Sequence, residues 1–317
     1  MSRLLIVLLC AAMSGCAFFL GPNVGPVSKL SVPVNRTQLD RGEYLAKHIT
    51  VCLSCHSQRD WNKFSGPIIK GTEGQGGHLF SKTDGIPGEI YAPNITPYAL
   101  ASWTDGEILR AITEGINQSG QAMFPVMPYA GYSKLTHSDA NAIILYLRTL
   151  RPVHRKTAPR KLNFPMNFLV NLTPKKAEPT LNMLNIEEKK QGEYLAKIAG
   201  CDHCHTPLNN LGHRIDKLSM AGGMEFNMQG SIVRAANISP DSKTGIGAWS
   251  KKRFISLFVH RGITARGSDI DDGEFNSPMP WSMYEGMTDE DLGAIYSYLQ
   301  SIKPIKNVVQ KYTPQYQ

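Results

Sequence analysis

The sequence predicts an all-α protein built from two tandem units of the same design. Three observations lead to this prediction: helical patterns with matched start signals, an internal repeat, and a cysteine-and-histidine pentad that occurs once in each half. The chain has 317 residues, a length that suits two domains. Because the repeated segments keep one order, a duplicated unit explains them, and we call its copies the first repeat and the second repeat.

Helix signals occur near both ends of each repeat. The first helix is expected to begin near Thr37, with Asp40 completing a capping box, and its counterpart is expected to begin near Asn185. The last helices start with Thr-x-x-Asp at 136–139 and 288–291. Apolar residues then follow at helical spacing, which predicts one buried face on each of these helices.

The repeat is visible in several pairs of segments. Gly-Glu-Tyr-Leu-Ala-Lys stands shortly before each pentad, at 42–47 and 192–197. Its glycine lies inside a helical pattern at some cost in stability, so we expect close packing on another helix there. The other pairs are Asn94-Ile95-Thr96-Pro97 with Asn237-Ile238-Ser239-Pro240, Trp103 with Trp249, Gly115-Ile116 with Gly262-Ile263, and Met127-Pro128-Tyr129 with Met279-Pro280-Trp281.

The pentad has the pattern Cys-x-x-Cys-His. Two thiols three positions apart can each form a thioether to one vinyl group of a porphyrin, and the next histidine then lies beneath the iron. The motif therefore predicts two covalently attached haem c groups. A redox-active cysteine pair and a four-cysteine zinc site are the alternatives, and neither explains the repeated histidine. The predicted attachment residues are Cys52, Cys55 and His56 for one haem and Cys201, Cys204 and His205 for the other.

Met127 and Met279 are predicted to be the second axial ligands of the two irons. Each precedes a proline and an aromatic residue, lies upstream of the last helix, and holds the same place in the repeat. Histidine-methionine ligation raises the reduction potential, because a neutral thioether favours ferrous iron, and it closes the iron to small molecules. Trp103 and Trp249 are predicted to reach haem propionates through the indole N–H, with plain packing as the alternative.

The N-terminal residues predict export from the cytoplasm. Arg3 and an apolar run too short to span a bilayer precede small residues and Cys16. The segment 13–16 resembles the lipobox of bacterial lipoproteins, which predicts a signal peptide over 1–15 and lipid on Cys16. An ordinary secretory signal with a soluble product is the alternative, and both take the chain out of the cytoplasm. Lipid on Cys16 would place it on the periplasmic face of a bacterial membrane. With four cysteines on haem, none remains for a disulfide.

The chain is predicted to have five segments: signal peptide 1–15, tether 16–36, first domain 37–152, linker 153–184 and second domain 185–317. The start of the linker is basic, which indicates a solvated segment or a docking strip. The formal net charge is +8 at pH 7. Four ionised haem propionates would offset about half of this charge, so the composition argues against nucleic-acid binding.

The loop that leads to Met279 is acidic, whereas the corresponding loop before Met127 has no acidic residue. An acidic rim beside the second haem would steer a basic redox partner toward it. A solvated loop that keeps the chain soluble is the alternative. The acidic residues are Asp269, Asp271, Asp272 and Glu274.

These motifs resemble those of the membrane-associated multihaem cytochrome c subunits of bacterial alcohol, aldehyde and gluconate dehydrogenases. The resemblance covers both repeats, in the Asn-Ile-Thr/Ser-Pro and Met-Pro-aromatic segments and in residues 244–250. It implies tandem class I-like cytochrome c domains that carry electrons from a dehydrogenase or another respiratory donor to quinone-linked or oxidase-linked components of the respiratory chain. Those subunits usually carry three haems, whereas two motifs occur in this chain.

An enzyme is the alternative to an electron carrier. A dihaem peroxidase needs an open or releasable position on one iron, which histidine-methionine ligation would close. A thiosulfate-oxidising cytochrome needs a cysteine ligand, and the cysteine count leaves no thiol for that role. The sequence therefore predicts a carrier, with the dihaem redox enzyme as the alternative.

Overall fold

The computed structural model describes residues 22–315, apart from 182, 184–185, 210–211 and 272–273. The predicted signal peptide, Cys16 and the first part of the tether therefore lie outside the described residues. Within the described part of the chain, no helix has the length and apolar character needed to cross a membrane.

The corresponding helices of the two repeats occur in the same order. The first repeat contains α1 (Arg36–Tyr44, continued by a π turn over Leu45–Ile49), α2 (Cys52–His56), α3 (Pro97–Leu100), α4 (Asp105–Glu114), α5 (Tyr129–Tyr132) and α6 (His137–Thr149), and α7 (Met166–Leu169) lies in the connecting segment. The second repeat contains α8 (Glu188–Ile198), α9 (Cys201–His205), α10 (Lys251–Gly267), α11 (Trp281–Tyr284) and α12 (Asp289–Ser301).

The predicted starts of the last helices are confirmed. The Thr136 hydroxyl accepts a hydrogen bond from the Asp139 amide at 3.0 Å, which caps α6. The Thr288 hydroxyl accepts from the Asp291 amide at 3.1 Å and caps α12 in the same way. The Thr-x-x-Asp pattern therefore marks the true first turn of both helices.

The first helix begins at Arg36, within one residue of the predicted start, but the predicted cap is wrong. Asn35 caps α1, because its side-chain oxygen accepts a hydrogen bond from the Gln38 amide at 3.2 Å. Thr37 lies inside the helix, so it forms no capping box with Asp40. Asn185 lies outside the described residues.

Two helix pairs form the centre of the core, α1 against α6 and α8 against α12. A Cβ atom at Gly42 would overlap the carbonyl oxygen of Ala142, and one at Gly192 would overlap that of Ala294. Because only glycine permits this approach, the predicted close packing of both glycines is confirmed. The predicted buried faces of the last helices are also present, in Ala140, Ile143, Leu147, Leu150, Leu292, Ile295 and Leu299.

The prediction of an all-α fold is wrong, because the structure contains two three-stranded antiparallel sheets. The first consists of β1 (Leu79–Phe80), β2 (Gly88–Tyr91) and β3 (Lys161–Leu162), and the second of β4 (Glu225–Met228), β5 (Ser231–Arg234) and β6 (Tyr312–Thr313). In each sheet a hairpin receives its third strand from a segment beyond the last helix of the repeat. Strands this short show no alternation of apolar and polar residues, and the third strand pairs over a long range.

The two repeats contact each other through a reciprocal pair of tyrosines. The Tyr44 hydroxyl donates to the Asp291 carboxylate at 2.6 Å, and the Tyr194 hydroxyl donates to the Asp139 carboxylate at 2.7 Å. Each tyrosine belongs to the repeated hexapeptide of one half, and each aspartate belongs to the first turn of the last helix in the other half. We call these two hydrogen bonds the tyrosine latch.

Candidate functional site

Each pentad forms a one-turn helix directly after a sharp turn of the chain. The residue before the first cysteine is in the left-handed region, with φ of 41° at Val51 and 72° at Gly200. The thiols and the imidazole are spaced i, i+3 and i+4, so a helical turn places all three on one face. This is the arrangement that attachment of one haem by two thioethers and one histidine requires.

The pentad histidines are oriented by hydrogen bonds to backbone carbonyls. The Nδ1 atom of His56 lies 2.7 Å from the carbonyl oxygen of Pro93, and that of His205 lies 2.7 Å from the carbonyl oxygen of Ala236. A carbonyl only accepts, so Nδ1 carries the proton and Nε2 keeps its lone pair. Burial lowers the pKa of both imidazoles, which keeps them neutral. Each ring is therefore in the tautomer that binds a metal through Nε2.

A buried asparagine fixes each carbonyl segment that receives a pentad histidine. The Asn94 side-chain amide donates to the Val153 carbonyl at 2.8 Å, and that of Asn237 donates to the Ile305 carbonyl at 2.8 Å. Both asparagines immediately follow the residue whose carbonyl accepts from the histidine. Although Asn-x-Thr/Ser is a glycosylation pattern, these amide groups already bond inside the protein, which favours a structural role for them.

Burial raises the thiol pKa of all four pentad cysteines. The cysteines of both pentads are free thiols, and burial is the main cause that raises the pKa of Cys204 to about 11. The charge of Cys55 in the other pentad is the next largest cause, so the electrostatic influence of the first pentad extends to the second.

In each repeat one buried tyrosine links the methionine segment to the pentad. The Tyr132 hydroxyl donates to the Thr50 carbonyl at 2.7 Å, and the Tyr284 hydroxyl donates to the Ala199 carbonyl at 2.7 Å. Each tyrosine lies five residues after a predicted methionine ligand, and each acceptor lies two residues before the first pentad cysteine. The two segments that would supply opposite ligands to one iron are thus tied together.

Met127 and Met279 have matching backbone and side-chain environments. Both side chains are partly buried against the hydrophobic core. In each repeat the amide two residues further on donates to the methionine carbonyl at 2.8 Å, which forms the same tight turn before α5 and α11. These features fit the proposed ligand pair, and the iron-binding role of both residues stays a prediction.

Trp103 and Trp249 also occupy matching positions, partly buried against the core. Neither indole N–H donates to another of the described residues, so both remain able to bond a propionate. The Arg253 guanidinium lies over the Trp249 ring at 4.4 Å from its centre. A role in haem binding stays a prediction for both tryptophans, with packing as the alternative.

The residues present fit one covalently bound haem in each repeat. Each repeat offers two thiols on one helical turn, a neutral imidazole held by its Nδ1, and a methionine segment tied to the same pentad. Within the described ranges, no group of three or more histidine, cysteine, aspartate or glutamate side chains could hold a metal ion. The four-cysteine zinc site therefore finds no support in the geometry.

Sequence reasoning missed a loop of the first repeat that supports the methionine segment of the second. The Ser65 hydroxyl donates to the Met279 carbonyl and accepts from the Trp281 amide at 3.1 Å, while the Ser65 amide donates to the Asn276 side chain at 2.7 Å. The segment that Ser65 contacts lies more than 200 residues away in sequence. The repeat pattern does not indicate contacts between segments so far apart.

The acidic loop before Met279 also contacts this part of the first repeat. Asp269 forms an ion pair with Lys63 at 3.4 Å, and the Ile270 amide donates to the Asn62 carbonyl at 2.8 Å. Asp272 lies outside the described residues. One acidic side chain of the predicted docking rim is thus engaged within the chain, while Asp271 and Glu274 are exposed.

No family model matches the sequence. The chain is 27% identical to the cytochrome subunit of fructose dehydrogenase from Gluconobacter japonicus, over 92% of this chain and 58% of that protein. It is 26% identical to the cytochrome c subunit of quinone-dependent alcohol dehydrogenase from Gluconacetobacter polyoxogenes, over 87% of this chain and 58% of that protein. A diheme cytochrome c-type from Cereibacter sphaeroides is 27% identical, over 80% of this chain and 83% of its own length.

These similarities confirm the resemblance to cytochrome c subunits of dehydrogenases. The chain spans only somewhat more than half the length of the dehydrogenase subunits, whereas it spans most of the diheme protein. The relatives are cytochromes c, which is consistent with covalently bound haem c and with electron transfer.

Proposed function

We propose that this chain is an exported dihaem c-type cytochrome that transfers electrons between a respiratory donor and the respiratory chain. The observation that carries the proposal is the duplicated histidine geometry: each pentad histidine donates from Nδ1 to a carbonyl at 2.7 Å and keeps Nε2 for a metal. In this proposal residues 37–152 and 185–317 each hold one haem.

The haem supplies reversible one-electron chemistry when bound, and the protein supplies ligands, orientation and burial. His56 and His205 would hold the iron through Nε2, and the pentad cysteines would attach the porphyrin. Met127 and Met279 would supply a neutral sulfur ligand, which favours ferrous iron. With two protein ligands for each iron, the chain would offer no open iron for a substrate.

The contact between the repeats supports electron transfer within the chain. Burial and then the charge of Cys55 raise the pKa of the Cys204 thiol, so the electrostatic influence of the first pentad extends to the second. Tyr132 and Tyr284 flank this region, and their pKa values are raised first by burial and then by cysteines that include Cys55 and Cys204. An electron received by one repeat could therefore pass to the other without leaving the protein.

Carbon monoxide binding separates this proposal from the enzyme alternative. A carrier whose two irons have two protein ligands each should bind carbon monoxide slowly after reduction, and its redox titration should show two reversible one-electron steps. A peroxidase-like enzyme should bind carbon monoxide rapidly at one iron of the untreated reduced protein. Fast binding at either haem would contradict the carrier.

A dehydrogenase subunit is the proposed donor, and a quinone-linked or oxidase-linked component is the proposed acceptor. Similarity to cytochrome subunits of fructose and alcohol dehydrogenases supports this choice of donor. Co-purification from membranes with an endogenous dehydrogenase, whose sugar or alcohol substrate then reduces the cytochrome, is the expected result. Reduction only by artificial donors would contradict it.

Attachment to the periplasmic face of a membrane through lipid on Cys16 is the proposed location. Cys16→Ser should release the protein from membranes with both haems still attached, because the attachment cysteines lie downstream. Cys10→Ser is the matched control, since that cysteine belongs to the predicted signal peptide, and it should leave the protein in the membrane fraction. Unchanged membrane association of Cys16→Ser would point to a protein partner as the anchor.

A further inference from the structure

The side chain of Arg59 lies beside the first pentad and bonds only to neutral groups. Its Nε donates to the Gly66 carbonyl at 2.6 Å, one Nη donates to the Ser54 hydroxyl at 3.2 Å, and the other Nη donates to the Ser65 carbonyl. Ser54 lies between the two cysteines of the pentad, so this cation lies next to the attachment site. Within the described ranges, no carboxylate bonds to it.

This cation is held in one place and keeps its charge at neutral pH. The guanidinium lies over the Trp61 ring at 4.2 Å from its centre, and the three hydrogen bonds fix its orientation. Burial lowers the pKa of Arg59 to about 10, with the nearby Cys55 acting in the other direction. The group is therefore fully ionised at pH 7, although little solvent surrounds it.

The second repeat has a different arrangement at the corresponding place. Leu208 occupies the position equivalent to Arg59. A cation still reaches the second pentad, because Arg214 extends to it from a later loop, but Arg214 is paired with the Asp202 carboxylate at 2.5 Å. Asp202 itself lies between the two cysteines of that pentad. The charge beside the second pentad is thus neutralised, while the charge beside the first is not.

We propose that Arg59 tunes the first haem, holding its reduction potential above that of the second haem. A fixed positive charge disfavours ferric iron, which carries one more positive charge than ferrous iron, and the effect is strong where solvent is scarce. The inference rests on the proposed function, because it assumes a haem on each pentad. It implies that an electron accepted by the second haem passes to the first haem, which has the higher reduction potential.

Spectroelectrochemical titration of the full chain with both haems tests this inference. Arg59→Met should lower the ferrous-to-ferric ratio of the first haem about tenfold at a fixed applied potential, equal to a shift of 59 mV for one electron. The ratio of the second haem should change by less than about threefold, since its own charges are unaltered. Met127→Ala identifies which titration step belongs to the first haem.

Three further variants distinguish an effect of charge on the potential from an effect of misfolding. Asp202→Asn leaves Arg214 without its carboxylate and should shift the second haem in the opposite direction, toward ferrous iron. Arg59→Lys keeps a positive charge and should retain most of the wild-type potential. Arg36→Met is the matched control, because Arg36 is 84% exposed and pairs with Asp40 rather than with a residue of either pentad, and neither haem should shift.

Haem content is measured first, so that two kinds of failure can be distinguished. A count other than two per chain would overturn the proposed function itself. With two haems present, an unchanged first potential in Arg59→Met, or an equal shift in Arg36→Met, would overturn the inference about Arg59. A fall of the second potential in Asp202→Asn would overturn it as well.

Discussion

The two repeats are alike where they would hold haem and differ in what surrounds it. In both, a pentad histidine donates to a carbonyl at 2.7 Å, and a buried tyrosine ties the methionine segment to the pentad. Beside the first pentad stands an unpaired arginine, whereas beside the second stands an ion pair. The shared parts are those that haem attachment would need, and the differing parts are those that we propose set the two potentials.

The tyrosine latch belongs to the shared parts, although it serves the contact between the repeats rather than either site alone. Tyr44 and Tyr194 come from the same hexapeptide, and Asp139 and Asp291 come from the same capping turn. The two hydrogen bonds are therefore equivalent and run in opposite directions between the halves, as in a contact with approximate two-fold symmetry.

The largest expected difference between matched variants concerns the methionine ligands. Met127→Ala and Met279→Ala should each remove about half of the sulfur-to-iron charge-transfer absorbance and lower one reduction potential, because the thioether that favours ferrous iron is lost. Met123→Ala is the control, since Met123 has no counterpart in the second repeat. Full retention of the band in either ligand variant would exclude that residue as a ligand.

The tyrosine latch should give the next largest effect. Tyr194→Phe removes a buried hydrogen bond to a carboxylate and should lower the free energy of unfolding by about 1.5–3 kcal/mol. Tyr98→Phe, at an exposed tyrosine, should change it little. Denaturant unfolding measures both, and equal stability of Tyr194→Phe and Tyr98→Phe would show that the latch contributes nothing.

Alkaline pH offers a second measure of the same latch. Burial and the bond to Asp291 raise the pKa of Tyr44 to about 12, from an ordinary value of 10. The folded state therefore holds this proton while the unfolded state releases it, so Tyr44 contributes stability below pH 10 that is lost as the pH rises toward 12. Tyr44→Phe should flatten this part of the stability curve. An unchanged slope would contradict the assignment.

Substitutions in the turn before each pentad should have a smaller effect on the free energy of unfolding, and the two repeats should differ in its size. Gly200→Val places a β-branched residue at φ 72° and should lower the free energy of unfolding by about 1–2 kcal/mol. Val51→Gly relieves the same strain at φ 41° but also loses packing of a partly buried side chain. Its net effect should therefore be smaller than that of Gly200→Val. The reverse order would contradict this account of the turn.

The ion pair between Lys63 and Asp269 should give the smallest effect. Its aspartate side chain is 84% exposed, so the coupling energy should stay below about 1 kcal/mol and should shrink as salt is added. A double-mutant cycle with Lys63→Ala and Asp269→Ala measures it. A coupling of several kcal/mol would mean that this pair, rather than the bonds of Ser65 and Asn276, holds the loop to the second repeat.

Much of the site could be predicted because its signals are local and occur twice. The pentads, the caps at Thr136 and Thr288, and the glycines at 42 and 192 each depend on residues within one helical turn or on a repeated exception to a propensity. The structure places all of these as expected. A single short motif can match by chance. Several motifs that recur in the same order do not, so the repetition made each prediction more specific.

The remaining features depend on contacts between distant segments. The sheets were missed because their strands have two to four residues and their third strands come from 161–162 and 312–313. The latch was missed because Asp139 and Asp291 fit a capping box within their own helices, yet their carboxylates bond to the other repeat. The signal that could have indicated the latch is the tyrosine of the repeated hexapeptide, because the hydroxyls of Tyr44 and Tyr194 bond to the other repeat.

The most direct test of the central claim is the number of haems that the chain binds. Alkaline pyridine spectra combined with mass spectrometry of the mature protein should show two covalent haems. After proteolysis, one should be on the peptide with Cys52 and Cys55 and the other on the peptide with Cys201 and Cys204. A count of one or three, or a pentad peptide that carries no haem, would contradict the account.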